Sequence, residues 1–179
     1  SEMCIRDRIF PESERTFSSL QANAERKARS LIGLGVRAGD HVGILSLNLP
    51  EYVESIFAIS MAGATAVPLN ARYRGAELKQ VIADSDIRLL FTTSQFDGRV
   101  DFSAHLTDCY PELSTSLDPS QLRIREAPLL KSVVMFEATQ KLGFISSTDF
   151  DQLGGDVADE TLAQHSASAG LESICLMMY

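Results

Sequence analysis

The chain has 179 residues, 45% of them apolar and 22% charged, enough for one ordinary core and unlike a disordered tail. Sixteen basic against 24 acidic residues give a net charge of −8, and no run of Lys or Arg could follow a phosphate backbone, so nucleic acid is excluded as an expected partner. No apolar stretch approaches the roughly 20 residues of a membrane span, and "SEMCIRDRIFPESER" lacks the apolar centre of a signal peptide.

The opening "SEMCIRDR" fits nothing that follows it and resembles translated sequencing adapter. Residues 1–8 are therefore expected to be non-native, exposed and unpacked, and 9–179 to hold the domain. "TFSSLQANAERKARSLIGLG" reads as a helix, with Ser18 as N-cap and Leu20, Ala24, Ala28 and Leu31 on one face. Gly33 and Gly35 stop it. "HVGILS" is a short apolar strand. Asn48 can cap a second helix with Pro50 in its first turn, burying Val53, Ile56, Phe57 and Met61 and ending at Gly63.

"ATAVPLN" is a second strand, "RGAELKQVIADS" a third helix with Leu78, Val81 and Ile82 inward, and "IRLLFTTS" a third strand. Strands apolar throughout, alternating with helices over short connections, predict a doubly wound α/β fold with a mainly parallel sheet and helices on both faces. Beyond Ser94, "FDGRVDFSAHLTDCYPEL" is expected to be a helix ending before Pro111, "STSLDPSQ" a loop and "KSVVMFEA" a fourth strand. "SSTDFDQLGGDVADETLAQHSASAG" reads as one short helix plus an exposed acidic loop. "SICLMMY" reads as a last strand buried on both faces, with Cys175 as a small core residue.

Four patterns invite a chemical reading and are set aside. In "GLGVRAG" the glycines at 33, 35 and 39 follow a helix and precede a strand, the reverse of what a phosphate-cradling loop needs. In "DFDQLGGDVADE", Asp149, Asp151, Gly154 and Glu160 match calcium-loop positions, but Leu153 stands where an oxygen ligand is required. His41, His105 and His165 are far apart in sequence, so they suggest no metal site, and His41 is expected at the surface on the sheet's edge. Cys4, Cys109 and Cys175 form no CxxC pair, which suggests a reducing, cytoplasmic setting. Spacing alone assigns no catalytic, cofactor-binding or metal-binding residue.

"SMAGATAVPLNARYRGAELKQVIADSDIRLLFTTS" resembles the early core of the AMP-forming acyl-CoA synthetases, a family of adenylate-forming enzymes. The residues that carry the likeness are Ala62-Gly63, Val67-Pro68-Leu69-Asn70, Arg72 and Glu77-Leu78, and the match runs from about Thr16 to Ser94. The final "SICLMMY" is similar to the strand that enters the family's phosphate loop. The resemblance implies the N-terminal subdomain portion of an ATP-dependent acid–CoA ligase, with 9–179 as an incomplete AMP-binding domain. It implies that the complete enzyme uses ATP, Mg²⁺, CoA and a small carboxylic acid, a fatty or related one. It implies too that the phosphate loop, nucleotide contacts and catalytic lysine lie outside these residues, so that the chain alone is inactive. Two other readings stay open: a carrier-protein ligase of the same superfamily, and a non-catalytic flavodoxin-like binding domain.

Overall fold

The computed structural model describes residues 7–10, 13–94, 100–170 and 172–179. Strands β1 (Asp7–Phe10) and β2 (Ser13–Thr16) form a separate antiparallel hairpin, with Asp7 opposite Thr16 and Arg8 opposite Arg15. Two of the eight residues read as adapter therefore lie in a strand, while Met3 and Ile5 lie outside the described residues.

Helix α1 (Phe17–Gly33) starts at Thr16, not Ser18. Thr16 has an extended backbone, and its Oγ1 accepts from Ser19 N at 3.1 Å, whereas Ser18 is already inside the helix. At the other end Val36 N reaches Leu31 O and Gly35 N reaches Ile32 O, with Gly35 at φ +87°, so the glycine allows the left-handed turn that closes the helix. Next come β3 (His41–Leu45) and α2 (Pro50–Met61). Asn48 falls one residue too early to cap α2. The residue before a proline is held extended, so Leu49 is the boundary and Pro50 opens the first turn.

The chain continues through β4 (Thr65–Pro68), α3 (Gly75–Asp84), β5 (Ile87–Thr92), α4 (Phe102–Cys109), a 3₁₀ turn over Pro111–Thr115 and β6 (Ser132–Met135). The four strands make one sheet in the order β4-β3-β5-β6, parallel at every step. Successive strand residues alternate between two cores, as a period of two requires. Val42, Ile44, Leu89, Phe91 and Val134 join Ala24, Ala28 and Leu31 of α1 and Ala58 and Ile59 of α2. Leu45, Leu90, Val133 and Met135 join Leu78 and Ile82 of α3 and Phe102 and Leu106 of α4 on the other face.

The polar stretch after Ile145 makes two helices instead of one, α5 (Ser147–Leu153) and α6 (Asp159–Ser168). Tertiary contacts stabilise α6: His165 Nδ1 and Ser166 Oγ lie 3.1 and 2.9 Å from the Ala62 and Met61 carbonyls at the end of α2. Helix α1 and the end of α5 meet at Gly33, inside α1, and Gly154, the C-cap of α5, and a Cβ on Gly33 would lie 2.0 Å from Leu153 O.

Three further expectations are corrected. The buried face of α2 is Glu54, Ser55, Ala58 and Ile59, while Phe57 is exposed, because small residues and an ion pair let α1 close against it. His41 opens an internal strand; it is half-buried, with Nδ1 2.7 Å from Ser85 O. "SICLMMY" is no doubly buried strand: it touches β4 through the single parallel bridge Ala66–Leu176, and Cys175 is exposed. Among the described residues no helix is long and apolar enough to cross a membrane.

Candidate functional site

In open parallel sheets ligands bind beyond the carboxyl ends of the strands, where neighbouring connections diverge to opposite faces. Here that divergence lies between β3, which leads to α2, and β5, which leads to α4 on the other face. Thr92 Oγ1 donates to Leu45 O at 3.1 Å and closes the gap between the two strands. Just beyond, the Glu137 carboxylate accepts the Thr93 hydroxyl, and Ser94 N donates to its Oε1 at 3.1 Å. These bonds spend the polar groups on one another.

On the α1 face the same edge holds a crevice of about 190 Å³. Asn23, Arg26 and Lys27 of α1, Glu51 and Glu54 of α2, and Ser147 and Asp151 of α5 line it above Phe91 and Phe136. At its base Lys27 Nζ donates to Glu54 Oε2 at 2.7 Å, and Asn23 Nδ2 donates to Glu54 Oε1 at 2.7 Å. Arg26 bridges outward, its Nη1 3.0 Å from Asn23 Oδ1 and its Nε 3.2 Å from Asp151 Oδ2. Sequence reasoning missed this network. Its signal was a lysine and a glutamate set among small apolar residues on two helix faces, which a buried, mutually satisfied pair explains.

The motif residues behind the resemblance lie along the β4 side of the sheet, Ala62 and Gly63 ahead of β4 and Leu69 to Arg72 beyond it, and act structurally. Ala62 closes α2, and Gly63 takes φ +75°, where a Cβ would lie 2.7 Å from Ser168 Oγ. Val67 is core, Pro68 ends β4, and Leu69 N continues the ladder to Ile44 O. Asn70 Oδ1 accepts from Arg72 N at 3.0 Å and shapes the loop that leads into α3. Tyr179 ends beside this loop, its carbonyl 3.4 Å from Tyr73 Oη.

The other candidates do not assemble into chemistry. Lys141 Nζ donates to Ser103 Oγ at 2.6 Å, and Ser103 Oγ to Asp101 Oδ1 at 2.7 Å, an arrangement like a nucleophile beside a base. Ser103 is fully buried, however, and its hydroxyl serves the cap of α4. Asp149 and Asp151 lie on α5 and Glu160 on α6, and Asp149 is held by Gln140 and Ser146. Among the described residues no three His, Cys, Asp or Glu side chains are placed to hold a metal ion. Mg²⁺ in phosphate sites is held by one or two carboxylates. Here Glu54 is taken up by Lys27 and Asn23, and Glu137 by Thr93 and Ser94, so these two do not fit a Mg²⁺–nucleotide site and no reaction step is routed through them.

The wider comparisons place this fold. The family model described as "AMP-binding enzyme" matches residues 4–179. The 2-succinylbenzoate–CoA ligase of Oceanobacillus iheyensis is 33% identical over 133 residues, covering 74% of this chain and 26% of that protein. The acyl-CoA ligase sidI of Aspergillus fumigatus is 27% identical over 164 residues, covering 92% of this chain and 26% of that protein. The crystal structure of the anthranilate CoA ligase AuaEII in complex with anthranoyl-AMP superposes with a TM-score of 0.64 at 27% identity, covering 79% of this chain and 24% of that one. The chain thus spans about a quarter of the length of these curated relatives. With its parallel sheet and its β4–α3 motif inside a match that runs almost from end to end, the chain belongs to the AMP-binding enzyme family.

Proposed function

We propose that the chain is part of an ATP-dependent acid–CoA ligase, and that the 179-residue polypeptide alone does not catalyse the reaction. The family match over residues 4–179 carries the first half of this reading, and the CoA-ligase names of the relatives support it. A carboxylate is a poor electrophile. In the proposed reaction it attacks the α-phosphate of ATP, pyrophosphate leaves, and the CoA thiol then displaces AMP from the acyl-adenylate to give a thioester. Mg²⁺ would neutralise the departing pyrophosphate. The acid is proposed to be a fatty or related one; relatives named for 2-succinylbenzoate and anthranilate make aromatic acids the natural comparison panel. The proposed location is the cytoplasm.

The second half rests on the donor set. Catalysis of this kind needs preorganised donors around the phosphates, and losing even one typically costs about 10²–10³ in rate. The donors that line the crevice, Asn23, Arg26 and Lys27, are already bonded to Glu54, Asn23 and Asp151, which supports this half of the reading. The test is carboxylate-dependent ATP–pyrophosphate exchange with Mg²⁺, over short, long and aromatic acids. The 179-residue chain is expected to give no exchange above a no-acid control, and the full-length protein to give exchange with at least one acid. Exchange by the purified chain would overturn the inactivity, and its absence from the full-length protein across the panel would overturn the ligase reading.

A further inference from the structure

Helix α6 and residues 172–179 dock on consecutive residues of one stretch, 61–66, which runs from the end of α2 into β4. Ser166 Oγ donates to Met61 O at 2.9 Å, and His165 Nδ1 lies 3.1 Å from Ala62 O. A Cβ on Gly63 would lie 2.7 Å from Ser168 Oγ and 3.1 Å from His165 O, so the glycine lets the end of α6 sit this close. Further along, Thr65 Oγ1 donates to Ile174 O at 2.8 Å, Ala66 N to Cys175 O at 3.0 Å, and Met177 N to Ala66 O at 2.9 Å. The connection between the two is itself bonded. Ser168 Oγ donates to His165 O at 2.6 Å, Gly170 N to Ser173 Oγ at 3.0 Å, and Ser173 N to Gly170 O at 3.0 Å. At the far end Tyr73 Oη donates to Tyr179 O at 3.4 Å, and Tyr179 Oη donates to the Asp84 carbonyl at 3.3 Å. These bonds face α2, β4 and α3 or lie within the segment, so none depends on what covers its outer side.

We propose that α6 and residues 172–179 form one strap, latched at the end of α2, that closes and opens as a unit and so sets where Tyr179 lies. The inference stands independently of the ligase reading. Each half of the strap brings little of its own to the core: α6 brings Leu162, and the segment after it brings Met177. Ordering a short segment costs conformational entropy, and the cost falls when a neighbouring segment is already held. A seated α6 raises the effective concentration of residues 172–179 beside β4, because the link is short and bonded to itself. By reciprocity the seated segment does the same for α6. Gly63 lies in the middle of the shared seat, between the carbonyls that hold α6 and the β4 residues that hold the segment. The device thus links the end of α2, ahead of β4, to the 70–74 loop beyond it, where Tyr73 meets Tyr179.

The test is native-state hydrogen exchange of the whole chain, read at single amides over a range of urea. The α6 amides and the Met177 amide are expected to share one opening free energy and one urea slope, both smaller than those of β3 and β5. Ser166→Ala removes a latch bond without touching any partner of residues 172–179, and Thr65→Val removes the bond to Ile174 O without touching any partner of α6. Each deletes a single hydroxyl, and circular dichroism checks that both variants fold. Ser166→Ala should speed exchange at Met177 by the same factor as in α6, roughly 2- to 10-fold for one hydrogen bond. Thr65→Val should in turn speed α6 by the factor it shows at Met177. Adding His165→Ala to Ser166→Ala should enlarge the shift at both places. If Met177 keeps its rate when the latch bond is removed, or α6 keeps its rate in Thr65→Val, the two segments open separately and the proposal is overturned. A urea slope for α6 and Met177 equal to that of β3 and β5 overturns it too, by making the segment part of the core.

Discussion

The Lys27–Glu54 pair shows how a single residue sets helix packing. Both side chains are almost wholly buried, 2.7 Å apart, and Asn23 satisfies the other carboxylate oxygen. Removing one partner leaves a charge in a dry site, which typically costs about 3–5 kcal/mol, whereas replacing both by apolar groups is often neutral. Lys27→Met should therefore destabilise strongly in urea melts, and Lys27→Met combined with Glu54→Leu should recover most of the loss. A double variant as weak as the single one would mean the pair contributes net stability. Tyr110 makes the opposite case. Its hydroxyl is buried with no hydrogen-bond partner among the described residues, and burial pushes its ionisation well above the usual phenol range. An unsatisfied buried hydroxyl is a cost. Tyr110→Phe is expected to hold or raise stability by up to roughly 1 kcal/mol, and a clear loss would reveal a hidden partner. Neither case could be read from periodicity, which sees Lys27 and Glu54 as breaks in an apolar stripe and Tyr110 as an ordinary aromatic.

Among elements, α1 to α3 and β3 to β5 stood out in the sequence because short connections separate strongly apolar strands from periodic helices, while β6 follows a long irregular segment and was legible only as an apolar run. What stayed hidden were properties that another element decides. Leu49 starts α2 because Pro50 constrains it, and α6 exists because the end of α2 offers it two carbonyls. "SICLMMY" is as apolar as a central strand, but its place at the edge follows from sheet order, which local pattern does not encode. The cap of α4 gives a measurable consequence. Burial pushes the Asp101 carboxyl up, but hydrogen bonds from Ser103 and Ala104 N and the charge of Lys141 outweigh it and hold the group below the usual carboxylate range. A depressed carboxylate stabilises the fold above its unfolded value and loses that contribution as pH falls through its folded one. Stability from this cap should thus be full at neutral pH and fade below about pH 4. Asp101→Ala should cost about 1 kcal/mol at neutral pH and show a shallower acid slope. An unchanged acid slope would show that the carboxylate's charge does not matter there.

For the molecule as a whole, stability is divided unevenly between the central sheet and the helices outside it, and hydrogen exchange should show it. β3 and β5 sit inside the sheet, covered on both faces, and Val42, Ile44, Leu45, Leu90 and Phe91 are fully inaccessible to solvent. Their amides can exchange only when the sheet itself opens, so they should report the global unfolding free energy. α5 and α6 lie outside that sheet; α6 brings one core side chain, Leu162, and is tied by His165, Ser166 and the Arg29–Asp159 ion pair. Few buried contacts mean a low opening cost, so α6 should exchange as a separate, weaker unit. In residues 173–179 the Met177 amide is bonded to Ala66 O, while the Leu176 amide points outward. Native-state exchange should rank β3 and β5 slowest, α6 intermediate, and Leu176 near the rate of an open chain, with Met177 slower than Leu176. If α6 exchanged as slowly as β5, the chain would be one cooperative unit, and α6 would have to be counted as part of the core and not as a clasp on its surface.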